Sequence, residues 1–237
     1  MIIAATSDIH SPKHITLFEK ALMKHSHLLR KIDVFILAGD IIYKGRVREC
    51  MHVTRVLRKY YSGIILGIRG NEEYDDRIDK LYNICSEIEW VDDKALFIEE
   101  KGVAVVGSKG ALDKPTLWQQ KNMPDIHAYY REKLRNIEKL LKEAIQRMKH
   151  VILVTHYAPR CKTLIGEEPR IWPFLSSFKL TKIIERYQPT VVIHGHVHRS
   201  TNHIDTIRKT RVYNVALPAT HRITFIGLER KSLLDFF

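Results

Sequence analysis

Seven side chains able to bind a divalent metal fall in five short clusters: Asp8 and His10, Asp40, Asn71, His156, and His196 with His198. Almost every cluster follows directly on an apolar run, such as Ile2-Ile3-Ala4-Ala5 or Val34-Phe35-Ile36-Leu37-Ala38. Such runs read as strands buried on both faces, and polar residues past their C-terminal ends would gather along one edge of a sheet, where open α/β sheets bind ligands. Carboxylates, an amide and imidazoles together suit divalent metals rather than a protein nucleophile.

Each cluster has its own chemistry. Asp8 and His10 alternate along an extended segment and so point the same way, open to one shared metal. In Gly39-Asp40 the glycine leaves room for close approach, and the carboxylate, with two oxygens, is suited to bridging two cations. Gly70-Asn71 repeats this strand-end placement after Ile64-Ile65-Leu66, and an asparagine carbonyl is a neutral oxygen ligand. His156 ends the run Val151-Ile152-Leu153-Val154-Thr155. In Val191-Val192-Ile193-His194-Gly195-His196-Val197-His198, period two admits His194 as well, but His196 and His198 lie past the strand end and are preferred.

The elements that must position these residues are legible. Strands are expected at 2–7, 33–38, 63–68, 103–107, 151–155 and 190–194, separated by stretches with helical period, which is the pattern of βαβ units and a mostly parallel sheet. Leu17 or Phe18, Leu22 and Leu29 predict a crossover helix over 14–30. Ile126, Tyr130, Leu134, Ile137, Leu141, Ile145 and Met148 predict a helix over 126–148, with Glu138/Lys142 and Glu143/Arg147 paired on its outer side. The segments 202–207, 211–216 and 222–228 read as a meander of strands. Residues 108–125 and 157–178 carry no clear period, and loops of that length are often lids or binding loops.

At 237 residues the chain predicts a single domain spanning 1–237. Cys50, Cys85 and Cys161 are odd in number and widely spaced, which suggests neither a disulfide framework nor a thiolate zinc site and fits a reducing cytoplasm. No run approaches the ~20 apolar residues a membrane span requires. A formal charge of +12 favours anionic partners, nucleic acid among them, without choosing between them.

Taken in order, DxH at Asp8, GD at Asp40, GN at Asn71, the strand-end His156 and GHxH at His196 and His198 resemble the calcineurin-like metallophosphoesterase superfamily, in its compact prokaryotic and archaeal form. The resemblance runs from Asp8 to His198. It implies a four-layer α/β/β/α sandwich and a centre of two divalent metals, of manganese, iron, zinc or nickel type. One metal would be held by Asp8, His10, Asp40 and His198, and the other by Asp40, Asn71, His156 and His196. Two cations about 3.5 to 4 Å apart lower the pKa of a shared water, orient phosphate oxygens and neutralise charge during in-line attack. The function implied is hydrolysis of an anionic phosphoester, a phosphodiester in preference. A nuclease acting on single-stranded or structured nucleic acid, or a noncatalytic scaffold of the same fold, are the alternatives.

The sequence departs from the family pattern at one place. A histidine usually follows the asparagine, with an acidic residue after it; here the order is Gly70-Asn71-Glu72-Glu73. Glu73 matches the acidic position, and Glu72 stands where a catalytic proton donor would be. A carboxylate beside two cations is a poor proton donor and repels a phosphate. Glu72 is therefore expected to turn outward toward Arg69 or Arg77, to donate a proton despite the field, or to restrict the enzyme to easily displaced leaving groups. His14, Tyr43, Arg46, Trp118, Tyr157, Trp172 and His221 are weaker candidates for the neighbourhood of the site.

Overall fold

A computed structural model describes residues 1–228. The first sheet is assembled from β1 (Ile2–Thr6), β2 (Val34–Ala38), β3 (Ile64–Ile68) and the short β4 (Glu89–Trp90). All four run parallel. Every residue of β2 is buried, as a strand covered on both faces requires. The crossovers are α1 (Ile15–Lys24) with α2 (Ser26–Leu29), α3 (Glu49–Arg58), and α4 (Ile78–Ile84). The helix expected over 14–30 is broken at His25, which leaves helical geometry at φ −112° and ψ 18°. Phe18 and Leu22 face the sheet as expected, with Ala21 beside them.

The second sheet contains β5 (Lys94–Ile98), β6 (Val103–Ser108), β7 (His150–Thr155), β10 (Val191–His194), β11 (Ile204–Ile207) and β12 (Thr210–Asn214), in the order β11-β12-β10-β7-β6-β5. Its central strands are parallel and its two edge strands, β5 and β11, antiparallel. Between β6 and β10 lie α5 (Leu117–Asn122), α6 (Ile126–Arg147), the paired dipeptide strands β8 (Ala158–Pro159) and β9 (Ser176–Ser177), and α7 (Phe178–Tyr187). After β12 come the short α8 (Leu217–Thr220) and β13 (Thr224–Gly227).

Three buried clusters separate four layers. Phe18, Leu22, Phe35, Val53 and Leu57 fill the space between the first helices and the first sheet. Ile3, Ile36, Leu66, Val105, Ile152 and Ile193 lie between the two sheets. Tyr130, Ile137, Leu141, Leu153, Leu180 and Val192 lie between the second sheet and α6 and α7. The architecture is the α/β/β/α sandwich expected from the resemblance.

Four expectations are corrected. The terminal segments are not a meander: β11 and β12 form a hairpin on the second sheet, whereas β13 crosses to pair antiparallel with β1 in the first. On α6 the inward residue of the last turn is Ala144, and Ile145 is 38% exposed. Glu143 does pair with Arg147 at 3.1 Å, but Glu138 reaches Arg186 of α7 at 2.7 Å rather than Lys142. Cys50 and Cys85, 35 residues apart, are joined in a disulfide between α3 and the end of α4. Sequence spacing gave no sign of it because the pairing is made by packing of two crossover helices.

Candidate metal centre

The ligands do not come from the edge of a single sheet as expected: Asp8 and His10, Asp40 and Asn71 follow β1, β2 and β3 of the first sheet, whereas His156, His196 and His198 follow β7 and β10 of the second, the C-terminal strand ends of both sheets facing one site. In the first sheet, pairing continues beyond the strand ends. Asp8 N donates to Gly39 O (3.0 Å) and His10 N to Asp40 O (2.9 Å), so the DxH segment zips along the GD segment. Asp8, His10, Asp40 and His196 all have left-handed backbones, with φ of 57°, 45°, 50° and 68°. Two glycines are required by close approach. A Cβ at Gly70 would lie 2.1 Å from Asp40 Oδ1, and one at Gly195 would lie 2.6 Å from Asp8 Oδ2.

The side chains converge as two triads, Asp8 with His10 and His198, and Asp40 with His156 and His196, the potential ligand atoms of each lying within 4.8 Å of one another. Asp8 Oδ1 accepts from His198 Nε2 at 2.9 Å and faces His10 Nε2 at 3.7 Å. Asp40 stands between the triads: its Oδ2 is 3.7 Å from His10 Nε2 and 3.4 Å from His156 Nε2. Asn71 Oδ1 lies 3.2 Å from His156 Nε2. His194 is turned away, engaged by Thr163 Oγ1 at 2.8 Å and the Gly195 carbonyl at 2.9 Å.

The electrostatics are those of carboxylates and imidazoles removed from water. Asp8, Asp40 and His156 are no more than 1% exposed. Burial opposes ionisation of Asp8, yet the His198 hydrogen bond and the imidazoles of His156, His198 and His10 hold its carboxyl well below the usual range. Burial also opposes charge on His156, but Asp40 and Asp8 raise it to about 9. His196 is driven down to about 3 by burial and by His156.

These residues fit divalent metals. With His156 Nδ1 donating to Ala38 O at 3.1 Å, its Nε2 is turned toward Asp40 Oδ2 and Asn71 Oδ1, three bases around one gap that only a proton or a cation can satisfy. His10 Nδ1 is buried without a hydrogen-bond partner among the described residues. Mixed nitrogen and oxygen donors of this kind suit first-row transition metals.

Around the triads lie residues whose roles were not legible. Ser7 Oγ donates to Asp8 Oδ2 at 2.5 Å. Glu73, 1% exposed, accepts from the backbone N–H groups of Asp40 (2.9 Å), Ile42 (3.0 Å) and Gly70 (2.6 Å). It thereby clamps the loop after β2 to the loop after β3, and burial with the Asp40 charge pushes its carboxyl up to about 7. Glu72 Oε2 accepts from Lys44 N at 2.6 Å and its backbone N donates to Asp40 Oδ1 at 2.8 Å. The arginines expected to pair with it are engaged elsewhere: Arg69 with Asp75 at 2.7 Å and Asp92 at 3.2 Å, Arg77 with Asp76 at 3.6 Å.

Of the weaker candidates, the rings of His14 and Tyr43 lie 6.1 and 6.2 Å from that of His10. Tyr157 is buried with its ring 4.9 Å from His196. Trp118 is 67% exposed on α5, while Trp172 packs on Ala158, Leu164 and Val197. Arg46 is exposed, and His221 ends α8.

The model of the calcineurin-like phosphoesterase family matches residues 1–200. No curated protein matches the chain. Among solved structures, phosphopantetheinyl hydrolase from Mycobacterium tuberculosis superposes with a TM-score of 0.69 at 15% identity over 97% of both chains. A dimetal phosphatase from Danio rerio superposes at 0.64 and 12% identity, over 97% of this chain and 93% of that one. A Thermus thermophilus protein, TT1561, superposes at 0.57 and 15% identity, over 96% and 99%. These likenesses concern the fold. With the family match spanning all five clusters and two largely buried donor triads where the strand ends of both sheets meet, the chain belongs to the calcineurin-like phosphoesterase family and is a metal-dependent phosphoesterase.

Proposed function

We propose that the chain, acting as one domain, hydrolyses a phosphodiester at a centre of two divalent metals. The observation that carries this reading is the placement of Asp40, whose Oδ2 faces His10 at 3.7 Å on one side and His156 at 3.4 Å on the other. Asp8, His10, Asp40 and His198 would hold one metal, and Asp40, Asn71, His156 and His196 the other. Bound there, two cations would activate water, orient the phosphate oxygens and screen the charge that develops in in-line attack.

The chain's own residues prepare that site. The Ala38 carbonyl fixes the His156 tautomer, and Ser7 Oγ and the His196 N–H, 2.9 Å from Asp8 Oδ2, fix the Asp8 carboxylate. Glu72 orders the loop: Asn71 Nδ2 lies 3.4 Å from Glu72 Oε1, which turns the amide oxygen toward His156. With Glu72 engaged by Lys44 N, no imidazole stands at the usual proton-donor position, which favours esters whose leaving group departs with little protonation.

The test joins metal analysis to a substrate screen. Purified protein is expected to take up close to two equivalents of manganese, iron, zinc or nickel and to cleave bis(p-nitrophenyl) phosphate in preference to alkyl monoesters. Asp40→Asn is expected to lose metal and turnover together. Folded protein with no specific metal uptake, or Asp40→Asn with wild-type turnover, would falsify the reading. Glu72→His is expected to raise activity on monoesters with poor leaving groups by about 100-fold or more if proton donation limits them.

A further inference from the structure

Helices α6 and α7 lie side by side over the second sheet, each leading into a parallel strand, α6 into β7 and α7 into β10. Crossover helices run opposite to the strands they connect. Both therefore begin at the edge that carries His156 and His196 and descend from it. Between them is a groove of about 320 Å³. Leu134 and Ile183 contribute apolar surface to it, and the rest of its lining is five cationic side chains and one carboxylate.

The charges in this groove are unbalanced. Glu138 is taken by Arg186 at 2.7 Å, and Lys182 by Glu185, also at 2.7 Å. Arg131, Arg135 and Lys179 are exposed and have no ion-pair partner among the described residues. Arg131 and Arg135 are one turn apart on α6, about 6 Å along its axis, and Lys179 stands opposite in the first turn of α7. Like charges held together repel one another, and a ligand bearing several negative charges in a row relieves that repulsion. Beside the groove lining, Phe178, which precedes Lys179 at the start of α7, is 50% exposed, with Lys182 Nζ 5.0 Å from its ring centroid. An exposed aromatic ring beside a row of cations is how single-stranded nucleic acid is held, the cations following the backbone and the ring stacking on a base.

We infer that the α6–α7 groove is a docking track for single-stranded nucleic acid, with phosphates against Arg131, Arg135 and Lys179 and a base against Phe178. The track stands on its own geometry; only its use in leading a phosphodiester to the sheet edge rests on the function proposed above.

Fluorescence anisotropy of a labelled oligothymidylate, titrated in EDTA over a range of salt concentrations, tests the track without cleavage. The triple variant Arg131→Gln/Arg135→Gln/Lys179→Gln is expected to flatten the slope of log affinity against log salt by about 2, at about 0.7 per lost phosphate contact. Phe178→Ala is expected to lower affinity about tenfold while leaving the slope unchanged. A control, Lys20→Gln/Lys24→Gln/Lys31→Gln, removes equal charge from exposed positions on the other side of the sandwich and is expected to bind as wild type. Circular dichroism checks that each variant is folded. Wild-type affinity and slope in the groove triple variant, or equal weakening in the control, overturns the track. Full affinity in Phe178→Ala, with inorganic polyphosphate competing as well as the strand, overturns the nucleic-acid assignment. Asp40→Asn separates the two readings: it is expected to bind the strand normally in EDTA. In the wild-type protein supplied with metal, strand binding with no diester hydrolysis keeps the groove and removes the phosphodiesterase, and diester hydrolysis with no strand binding does the reverse.

Discussion

Among the candidate ligands, left-handed backbone recurs. Left-handed backbone at a non-glycine residue costs on the order of 1–3 kcal/mol, and Asp8, His10, Asp40 and His196 all adopt it. The structure offsets that cost with the Asp8–Gly39 and His10–Asp40 backbone bonds and uses it to turn side chains from the strand ends of both sheets toward one point. The glycines beside them serve the same end. Gly70→Ala would set a methyl 2.1 Å from Asp40 Oδ1 and 2.5 Å from Asp40 N, so both the carboxylate and the backbone that carries it must move to make room. A displacement of about 1 Å at a reacting centre costs roughly 100-fold in rate, so this variant is expected to stay folded, lose metal, and fall by at least about that factor. Metal content and diester turnover on the same preparation check it; an undisturbed rate would mean that Asp40 does not sit at the reacting centre. The candidate donors were legible because each motif is local, two to four residues at a strand end. Glu73 and Ser7 were not, because what they do depends on partners that only the fold supplies: Glu73 accepts from Asp40 and Ile42, more than 30 residues away.

Among elements, the loops that follow β2 and β3 behave as one unit because Glu73 bonds to both. Removing its carboxylate leaves three buried N–H groups without acceptors, each costing about 1–3 kcal/mol. Glu73→Ala is therefore expected to destabilise by about 3 kcal/mol or more, and Glu73→Gln, which keeps one carbonyl acceptor, by less; urea unfolding measures both. The same experiment discriminates faces of α6. Ile137 is fully buried and Ile145 is 38% exposed, so Ile137→Ala is expected to cost about 2–5 kcal/mol and Ile145→Lys no more than about 0.5 kcal/mol. Equal effects would contradict the register of the helix. Apolar runs and the 3.6-residue period announced the strands and long helices to within a residue or two at most ends. They failed where a choice of partner mattered. Thr224–Gly227 is β-branched and strand-like wherever it pairs, and nothing local says that it joins β1 rather than β12. The Ala144 and Ile145 positions differ by 100° around α6, and hydrophobicity alone favoured the larger side chain.

At the scale of the whole molecule, the two sheets pack on one another through Ile3, Ile36, Ile152 and Ile193, with hydrogen bonds such as that from Arg211 to the Gly227 carbonyl joining them at the periphery, whereas the first helical layer carries a covalent tie. Cys50 and Cys85 are 0% and 2% exposed within the cluster that packs α1, α3 and α4 on the first sheet. Their bond closes a segment of 35 residues containing β3, Asn71, Glu72 and Glu73. Closing a loop of that length restricts the unfolded chain and stabilises the fold by about 2–4 kcal/mol. In a protein of this size each kcal/mol shifts Tm by about 2–4 °C. Oxidised protein is thus expected to unfold some 5–15 °C above the same protein denatured, reduced and refolded with thiols blocked only at Cys161, and Cys50→Ala/Cys85→Ala is expected to match the reduced form more closely than the oxidised one. Counting thiols in denaturant without reductant decides the premise first: one reactive thiol, Cys161, means that the tie is present, and three mean that α3 and α4 are held by packing alone.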